Sequence, residues 1–215
     1  MKKLLILLGA LLSTVIISYS QEDTIRIKHT NYTTVYSKSL KYPVLVEWYT
    51  TKAKVACTTP LPRKDQFAPD PLLPKETNLA KDYIGSGTDR GHMCPAADNE
   101  CSGHEVLTEC FYFSNMAPQY HSLNAGDWKS VETLSRDLAI KYDSIHIWAG
   151  SIGVAKTLGV DKVAVPTECW KVIYIIKTKE WMAFEFKNTS DKPTGLHSHE
   201  VTVADIEKLT GFKFN

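Results

Sequence analysis

Gly85-Ser86-Gly87-Thr88-Asp89-Arg90-Gly91-His92-Met93-Cys94-Pro95 is the stretch that orders the rest of the chain. Its two leading glycines signal a turn. The turn delivers the backbone into a carboxylate, a guanidinium, a glycine and an imidazole in four successive positions, a density that a structural turn does not need. Downstream, the run from Leu107 to Asn115, with Phe111, Tyr112 and Phe113, reads as a strand. Asn124-Ala125-Gly126-Asp127 then supplies helix-starting side chains. Trp128, Val131, Leu134 and Leu138 follow at spacings of three and four, the stripe of an amphipathic helix. The order is strand, strand, helix.

Working outward, residues from Ile25 to Tyr49 alternate and are rich in Thr, Tyr and Val, which predicts two or three strands. Between Thr58 and Leu79, Pro60, Pro62, Pro69, Pro71 and Pro74 deny the backbone regular hydrogen bonding, which predicts an ordered but irregular connection carrying Arg63, Phe67 and Asp70. On the C-terminal side, strands are expected from Ile145 to Ala149, Trp170 to Ile176 and Trp181 to Phe186, with a short helix from Val203 to Leu209. There is no internal repeat and no regular βαβ alternation. The expectation is an α+β domain with helices flanking a central antiparallel sheet.

Residues 1–20 combine Lys2 and Lys3, an apolar run from Leu4 to Ile17, and the small-residue pattern Ser18-Tyr19-Ser20, the layout of a cleavable secretory leader. That run is shorter than the roughly 20 residues a membrane helix needs. The expectation is therefore a secreted or periplasmic chain without a membrane anchor, in which residues 21–215 form one domain. Removing the leader's two lysines takes the formal charge from +1 to −1. Bulk charge thus offers no attraction to a polyanion, and any such attraction has to come from a local cluster. Five cysteines in an exported chain leave one over after pairing. Cys101 and Cys110 flank a plausible turn and are candidates to close a short loop. Asn31-Tyr32-Thr33 and Asn188-Thr189-Ser190 fit the glycosylation pattern, to which we attach no function.

Hydrolysis of a phosphodiester needs a base to deprotonate water, positive charge on the phosphate oxygens, and a Lewis acid near the leaving oxygen. His92 suits the first role, because an imidazole is largely neutral yet still basic near pH 7. A second cluster, Ser114-Asn115-Met116-Ala117-Pro118-Gln119, then Leu123-Asn124-Ala125-Gly126-Asp127-Trp128 and Glu132, completes a pattern. Together these residues resemble the sugar-non-specific DNA/RNA endonucleases. The resemblance extends upstream to Arg63, Phe67, Asp70 and Pro71, and downstream to Trp148-Ala149-Gly150-Ser151-Ile152-Gly153 and Val165-Pro166-Thr167-Glu168-Cys169-Trp170-Lys171. It covers most of the chain after the leader.

That resemblance implies a ββα-metal finger on the central sheet and hydrolysis of both DNA and RNA to 5′-phosphate ends. It implies His92 as general base and Asn124 as the one direct protein ligand of Mg²⁺, with Mn²⁺ as an alternative. Glu132 would orient a metal-bound water. On an ideal helix Asn124 and Glu132 would stand about 80° and about 12 Å apart, so a bridging water is the natural link. Arg63 and Arg90 match phosphate-binding arginines. Asp89 supports them by fixing the backbone or its neighbour Arg90, and Asn115 is expected to position the site beside His92 or the metal-bound water. Asn124 would otherwise be a helix N-cap, and the arginines surface ion pairs.

One position departs from the family. Cys94 stands where many relatives have alanine, which raises a second class of chemistry: a thiol hydrolase using Cys94 with His92 or His104. A nucleic-acid-binding module without catalysis is a further alternative, against which His92, Asn124 and Glu132 are all present. His197-Ser198-His199 could bind zinc, as could His104 or His121, or could be a polar surface loop.

Overall fold

Alternation along the N-terminal segment produces three strands, β1 (Thr24–Lys28), β2 (Tyr32–Ser37) and β3 (Tyr42–Thr51), in a computed structural model that describes residues 23–73, 75 and 77–215. The expected leader lies outside the described residues. A helical turn, α1 (Lys52–Val55), precedes the proline-rich connection. Then come β4 (Asp89–His92), α2 (His104–Glu109), β5 (Met116–Gln119) and α3 (His121–Leu123). The last runs through a π-type turn, Asn124–Trp128, into α4 (Lys129–Tyr142). Strands β6 (Ser144–Ile152), β7 (Lys156–Leu158), β8 (Val163–Val165), β9 (Glu168–Ile175), β10 (Glu180–Lys187) and β11 (Glu200–Val201) follow, and α5 (Val203–Thr210) comes last.

The central sheet has seven strands in the order β1-β2-β3-β6-β9-β10-β11, and every pairing is antiparallel. Period-two alternation sends Val44, Val46, Trp48, Ile145, Ile147, Cys169 and Ile173 to one face, where Val131 and Ala139 of α4 cover them. Leu45, Trp148, Trp170 and Val172 point to the other face and meet Ile206 of α5 and Phe214. Each fully buried side chain of this size contributes roughly 1.5–3 kcal/mol by leaving water. The domain is a sheet between two helical layers.

On the α4 face, β4 and β5 form a separate antiparallel pair with His92 opposite Met116. With α3 and α4 they make the ββα unit. The unit is the one expected, but its second strand is not where the aromatic run predicted it. Leu107, Cys110 and Phe111 are spaced three and four apart and pack as a helical edge with Ala96, so α2 occupies the first part of that run and β5 begins only at Met116. The proline-rich connection is anchored by buried Asp70, which accepts hydrogen bonds from Ser114 Oγ and the Leu72 N–H and pairs with His29 Nε2 at 2.9 Å.

The cysteines also differ from expectation. Cys101 is bonded to Cys57, with Cα atoms 5.8 Å apart, and Cys110 is not its partner. Cys110 ends α2 with its thiol buried and donating to the Val106 carbonyl. Among the described residues Cys94, Cys110 and Cys169 are free and buried.

Candidate active site

Strand β4 can sit tightly on β5 because position 91 has no side chain. A Cβ there would lie 1.9 Å from Gln119 Oε1. This close pairing fixes His92 at the strand's end, where its carbonyl accepts a hydrogen bond from Trp128 Nε1 at 3.0 Å. The imidazole is only 8% exposed, edge-on to Phe111 at 5.1 Å and tilted against Phe67 at 5.7 Å. Its Nε2 has no hydrogen-bond partner among the described residues. Burial, reinforced by the positive charge of Arg63, pushes its pKa down to about 3. His92 is therefore neutral at physiological pH, with its Nε2 unpartnered among the described residues.

A cavity of about 290 Å³ is lined by His92 together with Arg63, Arg90, Asn124, Lys129, Glu132 and Arg136. A second, of about 280 Å³, shares Arg63, Arg90 and Asn124 and continues past Asp65, Phe67, Tyr83 and Asp89. The Arg90 guanidinium lies 4.6 Å from the Phe67 ring centre and 5.8 Å from that of Tyr83. These contacts hold its plane by cation–π attraction without consuming the charge. Arg63 donates from Nε to Asp65 at 2.7 Å, an exposed pair, so the surface ion pair considered for it is present while its side chain still faces the cavity.

Asn124 is not a helix N-cap. The chain is already helical at His121, and the Asn124 N–H bonds to the Tyr120 carbonyl. Its Nδ2 donates to Asp89 Oδ2 at 2.9 Å, which leaves the amide oxygen as the donor atom for a hard cation. The π-type turn that follows depends on Gly126, whose φ of −101° and ψ of −112° break the helical path. A Cβ on Gly126 would lie 2.4 Å from Pro193 Cγ. Beyond that turn, α4 directs Glu132 into the same cavity. Burial pushes the Glu132 pKa up to about 7 against the opposing charge of Lys171.

The model of the DNA/RNA non-specific endonuclease family matches residues 12–215. The chain belongs to that family. It is 32% identical over 208 residues to the mitochondrial nuclease EXOG of Mus musculus, covering 87% of this chain and 56% of that protein. It is 31% identical over 149 residues to mitochondrial endonuclease G of Homo sapiens, covering 62% of this chain and 50% of that one. It thus spans about half the length of these relatives. In structure it is similar to a chain in the crystal structure of the EndoG/EndoGI complex, with a TM-score of 0.79, 27% identity, and 88% and 84% of the two chains covered.

Within this endonuclease fold, five residues singled out in the sequence converge on one cavity: Arg63, Arg90, His92, Asn124 and Glu132. Asp89 lines the adjoining cavity but does not pair with Arg90. Its carboxylate holds Asn124 and His121 Nδ1, the latter at 2.8 Å. Asn115 does not face the cavity. Fully buried, it accepts from the Cys94 N–H and donates to the carbonyls of Cys94 and Cys110, bracing the chain just after His92.

The thiol alternative loses its nucleophile. Cys94 is fully buried outside the cavity lining, and burial raises its pKa well above the ordinary range, with the Cys110 thiol adding to the effect. Among the described residues no group of three His, Cys, Asp or Glu side chains could hold a metal. His197 meets Glu200, whereas His199 meets Asp127 and Thr194. Lys129 and Arg136 were missed, although each stands one helical turn from Glu132 at spacings of three and four. Asp98 carried no local signal, and Lys171 was marked only as the last residue of the downstream motif, without a role.

Proposed function

We propose that this chain is an exported, sugar-non-specific endonuclease that hydrolyses DNA and RNA with His92 as general base. The observation that carries the reading is the buried, neutral imidazole of His92, with an unpartnered Nε2, in a cavity walled by four cationic side chains. Water placed against Nε2 in line with a scissile P–O bond would lose its proton to His92, while Arg63 and Arg90 bind the phosphate oxygens and take up charge as it develops. Departure of O3′ leaves a 5′-phosphate end. Using water as the nucleophile removes any need for a ribose 2′-OH, so both nucleic acids qualify as substrates.

The donor set fits a hydrated divalent cation. Asn124 offers one neutral oxygen, and Glu132 shares the same cavity as an acceptor for cation-bound water. Mg²⁺, or Mn²⁺ in its place, would supply Lewis-acid polarisation of the phosphate and neutralise the leaving oxygen. The Asp89 carboxylate orients Asn124 for this role. Two observations support export: the leader pattern of residues 1–20 and the Cys57–Cys101 disulfide, which persists in oxidising compartments. No helix of the described residues is long and apolar enough to cross a membrane.

The test is incubation of the purified chain with supercoiled plasmid and with structured RNA, in Mg²⁺ or in EDTA, beside His92→Ala. Both substrates should be degraded, and both EDTA and the substitution should stop it, the latter by about 10²–10⁴-fold. Binding without cleavage in Mg²⁺ and in Mn²⁺ would replace this reading with that of a binding module.

A further inference from the structure

Strand β9 sends alternate side chains into the core under α4. Cys169, Ile173 and Ile175 belong to that row, all buried and apolar, and Lys171 occupies the position between the first two. Lys171 is 0% exposed, and its Nζ makes no hydrogen bond among the described residues. Removing an ammonium from water costs several kcal/mol unless charge or hydrogen bonds compensate. A methionine or leucine would fill the same row at lower cost. Packing alone does not account for a lysine here.

The Lys171 surroundings connect it to the cavity. Nζ lies 4.3 Å from the Trp128 ring centre and 5.6 Å from that of Trp48. Both indoles are committed elsewhere through their N–H groups, Trp128 to the His92 carbonyl and Trp48 to Asp98 Oδ2, each at 3.0 Å. Asp98 also accepts from Thr50 Oγ1 at 2.8 Å and from Arg136 Nη1 at 3.4 Å, so its charge is satisfied by three donors. Glu132 accepts no hydrogen bond from any described residue and stands four residues, one helical turn, after the Trp128 whose ring Lys171 contacts, which makes it the acid of the cavity lining that faces the Lys171 charge.

We propose that Lys171 is a positioning residue of the nuclease site: its side chain, held against the Trp48 and Trp128 rings beneath α4, restrains the Glu132 carboxylate one helical turn beyond Trp128. The same ammonium rests on the indole that ties down the His92 strand, so one buried charge serves both sides of the site. The inference rests on the nuclease reading above.

The experiment compares the purified wild-type chain with Lys171→Met, Lys171→Leu, Glu132→Gln and the Lys171→Met/Glu132→Gln double variant. Thermal unfolding is recorded for each, with kcat and KM on plasmid in saturating Mg²⁺. At least one apolar variant should fold and melt within a few degrees of the wild type, because methionine or leucine fills the same buried row. Its kcat should fall about 10–100-fold with KM within about twofold, the signature of a group acting only as the transition state is reached. In the Glu132→Gln background the further loss from Lys171→Met should be under about twofold, because the two act as a unit. A purely structural lysine would instead multiply the losses, and that result overturns the proposal. Wild-type kcat in a folded Lys171→Met chain overturns it too, as does failure of both apolar variants to fold. A wild-type chain inert towards plasmid and RNA in Mg²⁺ and Mn²⁺ refutes the nuclease reading first, and this inference with it.

Discussion

Neutrality of His92 makes a prediction about stability that needs no substrate. An unfolded histidine titrates near 6.5, whereas folded His92 titrates at about 3. Between those values the unfolded chain takes up a proton that the folded chain refuses, so stability falls as pH falls, by about 1.4 kcal/mol per unit. Above pH 6.5 this contribution is flat. Glu132 runs the other way: folding raises its pKa from 4.5 to about 7, so its contribution grows as pH falls through that window. The two slopes largely cancel in the wild-type chain, and a substitution is required to separate them. His92→Asn removes only the histidine titration. Urea unfolding in EDTA at pH 7.5 and at pH 4.5 should show the asparagine variant gaining about 3 kcal/mol on the wild type at the lower pH, from two units below 6.5. A relative gain below about 1 kcal/mol would mean that the folded imidazole is protonated at pH 4.5, and the premise of a buried, neutral base would fail.

Other substitutions test the framework around it. Gly91→Ala puts a Cβ against buried Gln119 and should cost about 1–3 kcal/mol in urea unfolding while lowering plasmid nicking, because β4 must lift from β5. Replacing Cys57 and Cys101 together by serine opens a loop closed across 44 residues. The expected loss, read by urea unfolding, is about 4 kcal/mol. Asn124→Ala should leave unfolding little changed but raise the Mg²⁺ concentration for half-maximal cleavage at least about tenfold. Four cationic side chains line the main cavity. A logarithmic plot of kcat/KM against salt should therefore have a slope of about −3 to −4.

Legibility in the sequence followed the range of the interaction that decides each feature. Strands β3, β6, β9 and β10 were readable to within a few residues because the sheet is covered on both faces, so its strands read as short runs of apolar, aromatic and β-branched residues, a purely local signal. The aromatic run after Leu107 misled for a reason equally local. Phe111, Tyr112 and Phe113 imitate strand composition, while the contacts that make α2 helical, from Leu107 and Phe111 to Ala96, depend on a chain reversal that composition does not reveal. The motif residues from Arg63 to Glu132 were found because their spacing repeats a family pattern. Lys171 ends the downstream motif and Asp98 belongs to none, but the role of each emerges only when α4 is laid across β3 and β9.

Net charge misleads in the same way, because it averages over distances that the solvent screens. With a Debye length of about 8 Å at physiological ionic strength, a bound phosphate senses the groups around it and little else. Lining the His92 cavity are Arg63, Arg90, Lys129 and Arg136 against the acid Glu132, with Asp65 beside Arg63 and Asp98 behind Arg136. The Glu132 pKa of about 7 leaves even that acid partly neutral in the absence of a cation. The lining itself thus carries a surplus of positive charge, although the whole chain carries only +1. Binding of a divalent cation would return the Glu132 carboxylate to its charged form and offset part of that surplus. The lining suits a phosphate and a metal together, and near-neutral overall composition does not count against a polyanion partner there.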